Sequence, residues 1–92
     1  MYKITEYSFD QAKKLNVTIK PSNKANYKID VYDLAGKYIT SIGDKNYNDY
    51  PTYIKNKGQT YADERRKLYK KRHEKDRNVK NSRGYYTDKI LW

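Results

Sequence analysis

The stretch from Thr60 to Arg77 limits what this chain can build more than any other. It reads Thr60-Tyr-Ala-Asp-Glu-Arg-Arg-Lys-Leu-Tyr-Lys-Lys-Arg-His-Glu-Lys-Asp-Arg77 and contains neither Pro nor Gly. Strong helix formers dominate it, so the expectation is one basic helix over residues 60–77. Thr60 with Asp63 offers a capping box. Acids sit in the first turn and cations in the last, as the helix dipole favours. At 1.5 Å per residue such a rod would be about 26 Å long. Its apolar seam is only Tyr61, Ala62, Leu68 and Tyr69. A seam that thin cannot form a core alone, so the rest of the chain must supply a platform. Asp63→Lys67 and Lys70→Glu74 are expected to pair at i,i+4, each worth about a few tenths of a kcal/mol.

Material for the platform is scarce. The chain has 92 residues, 36% of them hydrophobic, and 12 of those are tyrosines. One small basic domain over residues 1–92 is expected. Its core should be thin and rich in tyrosine rings whose hydroxyls reach water or a polar partner. Tyr27, Tyr38, Tyr61 and Tyr69 are expected in that core. Tyr47, Tyr50 and Tyr53 lie in a polar region and are expected nearer the surface. Low hydrophobicity with a net charge of +10 leans towards disorder. The evenly spread aromatics and only two prolines argue for a folded domain.

The clearest platform element is a β-hairpin over residues 27–42. Tyr27-Lys-Ile-Asp-Val-Tyr32 and Lys37-Tyr-Ile-Thr-Ser-Ile42 both alternate, and Asp33-Leu-Ala-Gly36 between them supplies turn chemistry. Tyr27, Ile29 and Val31 should share one face, with Tyr38 and Ile42 on one face of the partner strand. Val17 to Lys20 is β-branched and should add a strand that Pro21 ends. Tyr2 to Tyr7 also alternates and suggests a short strand. Ser8 with Gln11 forms a capping box for a short helix near 9–15, stopped by Asn16. Pro51 suits the first turn of another at 51–56, behind Asp49 or Tyr50 and closed by Lys57-Gly58. After a polar break, Gly84 to Leu91 should form a last helix. The fold class is therefore α+β: a small antiparallel sheet packed with one long basic helix and three short ones. A chain ending on Ile90-Leu91-Trp92 should dock those side chains, together with Tyr85 and Tyr86, or offer them to another subunit.

Charge divides the chain in two. Residues 1–50 carry eight Lys against six acids, a net of +2, and residues 51–92 carry thirteen Lys and Arg against five, a net of +8. All five arginines lie in the second half. Their planar fork suits phosphate or carboxylate. The nominated binding residues are Arg65, Arg66, Lys67, Lys70, Lys71, Arg72, Lys75, Arg77, Lys80 and Arg83, expected to present one cationic face to a polyanion. The partner expected first is nucleic acid, DNA before RNA, bound through its phosphates without base-specific readout. The plainer alternative is a solvated helix that keeps the protein soluble.

Other chemistry finds little support. There is no cysteine, hence no disulfide or thiolate metal site. His73 is the only histidine, with Glu74 and Asp76 beside it, too few ligands for a metal-dependent nuclease. The four glycines form no phosphate-binding loop, and no serine or threonine has a triad context. No cofactor and no catalytic residue is expected. No apolar run approaches the roughly 20 residues that span a bilayer, and nothing points to secretion.

The ordered set of Ser41-Ile-Gly43, Tyr47, Asp49-Tyr50, Tyr69, Arg72-His73, Gly84-Tyr-Tyr and Leu91-Trp92 resembles short basic proteins of large nucleocytoplasmic DNA viruses, the algal and amoebal giant viruses. The resemblance covers most of the chain and is clearest from Tyr27 onward. It brings no catalytic residues. It implies a viral origin and a nucleic-acid or virion setting, in the host cytoplasm or nucleus or packaged in the particle. One implied role is DNA binding. The other is a minor capsid or core component that assembles through its aromatic end.

Overall fold

Three strands make the platform. In the computed structural model, which describes residues 2–92, β1 (Val17–Pro21), β2 (Tyr27–Asp33) and β3 (Tyr38–Asp44) form an antiparallel sheet in the order β1-β2-β3. Val17, Ile19, Ile29, Val31 and Ile42 are all buried, and the pairs Ile19↔Val31 and Ile29↔Ile42 set the register. One side of the sheet is thus aliphatic, as the alternation of β2 requires. The other side is polar and only partly covered: Lys28, Asp30 and Ser41 are buried, while Thr18 and Lys20 are exposed. Asp30, buried there, accepts from Ser41 Oγ at 2.6 Å and from Lys24 at 3.5 Å. Burial alone would raise the Asp30 carboxyl pKa. The hydroxyls of Ser41 and Ser22, with Lys24, overcome it and hold the group below its ordinary value.

The hairpin turn forms as expected around Asp33 to Gly36. Asp33 Oδ1 accepts from the amides of Ala35 and Lys37 at 3.0 and 2.8 Å, and Gly36 sits at φ 89°. A register shift between Val31 and Tyr32 then changes the outcome for Tyr38. One extra residue in β3 turns Tyr38 onto the polar side, opposite Tyr32 and away from the side of Ile42. Tyr38 is 46% exposed, bonds Ser41 Oγ at 2.7 Å and carries Lys24 over its ring.

Four helices complete the fold: α1 (Glu6–Lys14), α2 (Tyr50–Lys57), α3 (Gln59–Arg72) and α4 (Arg83–Leu91). Tyr2 to Thr5 is not a strand, and Glu6 and Tyr7 already belong to α1. The cap of α1 is Thr5, whose hydroxyl accepts from the Ser8 amide. Ser8 is buried instead and donates to the Ile90 carbonyl at 2.9 Å, which ties α1 to α4. Asn16 takes φ 57° just beyond α1, the left-handed geometry Asn tolerates. Asp49 caps α2, with Pro51 in its first turn.

α3 is shorter than its composition suggests. It ends at Arg72, and residues 73–82 form turns. Its start has no side-chain cap, so the Thr60–Asp63 box does not form. Ala62 and Tyr69, seven residues apart, are its buried residues. Beyond Tyr69 no apolar side chain recurs at helical spacing, and nothing holds further turns against the core. The chain folds back onto α4 instead. A methyl group at Gly84 would lie 2.8 Å from the Asp76 carbonyl oxygen. Only glycine lets that turn approach so closely.

α4 closes the core. Ile90 and Leu91 are fully buried, and Tyr86 and Trp92 nearly so. Leu91 sits against Gly43 of β3, where an added Cβ would lie 2.7 Å from Leu91 Cδ1 and where the φ of 80° itself favours glycine.

Candidate nucleic-acid interface

The ten nominated cations do not share one face. On α3 they divide by helical angle into three sets. Arg66 and Lys70 turn towards the protein. Arg66 donates from Nε to the Trp92 main-chain oxygen at 2.6 Å and from Nη2 to the Tyr7 hydroxyl at 3.1 Å. Its guanidinium lies 4.1 Å from the Tyr50 ring centre. Lys70 pairs with the buried Asp88 at 2.7 Å. Arg66 and Lys70 therefore hold α1, α2, α3 and α4 together and are withdrawn from the binding set. Arg77, in the turns after α3, donates to the Lys70 carbonyl at 3.3 Å.

Lys67 and Lys71 point outward, and Lys75 and Lys80 are exposed in the turns. The expected Asp63–Lys67 and Lys70–Glu74 pairs do not form. Among the described residues, Lys70 is the only one of the ten nominated cations in a salt bridge.

Arg65 and Arg72 form the third set and face a groove of about 810 Å³ between α3, its following turns, α4 and the sheet. Arg83, at the start of α4, lines the same groove. Its Nε donates to the Ser41 carbonyl at 3.0 Å, and its guanidinium lies 4.8 Å from the Tyr27 ring centre. Arg65 and Arg72, two turns apart on α3, and Arg83 at the start of α4 thus line one recess. A smaller depression of about 450 Å³ adjoins it and shares Arg65, Arg72 and Trp92.

Aromatic rings furnish much of the groove. Tyr69 stacks on Trp92 at 4.4 Å with planes 4° apart, and His73 stacks on Tyr69 at 4.4 Å. Arg65 lies 5.7 Å from the ring of Tyr53, another lining residue. Tyr47 lines the sheet side and is 70% exposed. Burial, with Asp88 and Asp76 nearby, pushes the Tyr69 hydroxyl up to about 12, so it stays protonated at neutral pH. Beneath the groove Lys28 and Asp49 form a buried pair at 3.0 Å. Lys28 also donates to the Tyr47 carbonyl, and Tyr2 donates to Asp49 at 2.7 Å. That network fixes the loop carrying Tyr47.

His73 Nδ1 lies 3.7 Å from an Asp76 carboxylate oxygen. Among the described residues no group of three or more His, Asp or Glu side chains is placed to hold a metal ion. No helix among them is long and apolar enough to cross a membrane.

The nominated docking residues are docked within this chain. Tyr86, Ile90, Leu91 and Trp92 belong to its core, and Tyr85 packs against it. Assembly through them would require this helix to leave the sheet. Sequence reasoning put Tyr61 inside, yet it is 42% exposed, and put Tyr50 near the surface, yet it is 5% exposed. Tyr27 is half-buried at the groove. The groove itself is not legible in the sequence. Its only trace in sequence is that Arg65, Arg72 and Arg83 fall near aromatic residues.

Comparison with protein-family models, curated proteins and solved structures finds no match to this chain.

Proposed function

We propose that this protein binds nucleic acid through its phosphates without catalysing a reaction on it. The observation that carries the reading is the convergence of Arg65, Arg72 and Arg83 on one groove, none of them ion-paired within the described chain. Exposed Lys67, Lys71, Lys75 and Lys80 extend the positive surface. Forked guanidinium groups suit phosphate oxygens, and each neutralised phosphate releases counterions. The acids that could quench this surface are engaged elsewhere or outnumbered. Asp88 is held by Lys70, and Asp49 by Lys28. The resemblance to short basic proteins of large DNA viruses agrees with DNA as the polyanion, and with a place beside a viral genome in the host cell or particle.

The test separates position from total charge. Lys71→Ala/Arg72→Ala/Lys75→Ala should leave a DNA column at clearly lower salt than the wild type. Lys13→Ala/Lys14→Ala/Lys37→Ala, which removes the same charge from exposed positions in the first half, should elute near the wild type. Equal shifts for both would mean that only net charge matters and would end the reading.

A further inference from the structure

We propose that the groove holds unpaired nucleobases, making this a single-strand binding site; this rests on the phosphate-binding reading above. Charge alone would be served by the outer lysines. The groove adds what a phosphate does not need: an aromatic lining in one recess, with the Tyr47 ring exposed, Tyr27, Tyr53 and His73 half-buried, and Tyr69 and Trp92 nearly buried and stacked on each other. At about 810 Å³ it lies within the roughly 300–1,000 Å³ typical of small-ligand sites. That is room for one or two nucleotides and far less than a duplex footprint. Bases in a duplex are stacked on one another and closed to protein rings, so an occupant must be unpaired.

The polar lining fits the same occupant. Arg65, Arg72 and Arg83 suit phosphates. Asp44 and Asp76 also line the groove and would repel phosphates, but they can accept from the amino groups of cytosine, adenine or guanine. An acidic peptide would satisfy the arginines yet leave the carboxylates and rings without a purpose. Tyr47 is the natural outer ring of such a site. Its side chain is 70% exposed and makes no hydrogen bond among the described residues, while its main-chain carbonyl is held by Lys28. The ring is therefore positioned without being needed for the core.

Trp92 is the only tryptophan, so its fluorescence reports on the groove directly. The intact protein would be titrated with an oligodeoxycytidylate of about 12 nucleotides, within the range one single-strand site covers, and with an abasic chain of equal length. We expect the base-bearing strand to quench Trp92 and to bind about tenfold or more tightly than the abasic chain, one stacked base being enough for that difference. Tyr47→Ala should bring the base-bearing strand towards the abasic affinity and leave the abasic affinity unchanged. Equal binding of both strands by the wild type, without quenching, would overturn the base site and leave phosphate binding standing. Binding of neither strand, with an acidic peptide bound instead, would overturn both readings.

Discussion

Lys70 and Lys71 are neighbours with opposite roles, and their contrast shows how little a charge run says about its members. Lys70 reaches 2.7 Å to Asp88, which is fully buried and whose Oδ2 has no hydrogen-bond partner. Lys71 stands in solvent. Removing Lys70 takes away the closer counter-charge of a buried carboxylate and leaves only Lys89, 3.6 Å from Oδ2. Lys70→Ala should therefore lower the free energy of unfolding by about 3 kcal/mol. Lys71→Ala should change it by less than about 0.5 kcal/mol, as for most surface substitutions. Urea unfolding of the two variants checks both values. Arg66 follows the logic of Lys70. Its fork and flat face meet the Trp92 oxygen, the Tyr7 hydroxyl and the Tyr50 ring together, a combination an ammonium cannot reproduce.

Elements were more legible than their ends. The hairpin was plain because alternation, turn residues and Gly36 agree with one another. The short helices lie within a few residues of where capping and Pro signals put them, although Thr5 rather than Ser8 caps α1. α3 misled because helix propensity continues past Arg72 while the apolar seam does not, and packing decides where such a helix stops. The tyrosines misled for a related reason. A ring with a hydroxyl is stable inside or outside, so only tertiary partners settle the matter. Tyr50 is buried because Asp63 and Gln59 meet its hydroxyl at 2.8 and 2.7 Å. Tyr38 is outside because a one-residue bulge turned it over. The groove was illegible since Arg83 joins the face shared by Arg65 and Arg72 only after residues 73–82 fold back onto α4.

At the scale of α3 and α4, the Tyr69–Trp92 stack has a consequence for pH. The Tyr69 pKa is raised from 10.0 to about 12 by burial and nearby Asp88 and Asp76. A raised pKa means that folding favours the protonated hydroxyl. Its contribution is complete below pH 10.0 and is lost as pH rises towards about 12. Stability measured by denaturant should fall across that window, and Tyr69→Phe should lessen the fall. A decline of the same steepness in Tyr69→Phe would contradict the assignment.

As a whole, the molecule is an aliphatic sheet and tyrosine-rich helices that order the few cations needed for structure and leave the rest free. Sequence asymmetry survives folding in reduced form. Arg66 and Lys70 are spent internally, while Arg65, Lys67, Lys71, Arg72, Lys75, Lys80 and Arg83 remain without acidic partners among the described residues. The direct measure of this claim is the slope of log affinity for DNA against log salt, compared between the wild type and Lys71→Ala/Arg72→Ala/Lys75→Ala. If those three side chains each neutralise a phosphate, the variant's slope should be shallower by about 2 to 3, at roughly 0.7 to 0.9 per lost contact. An unchanged slope, or affinity indifferent to salt in the wild type, would contradict the account.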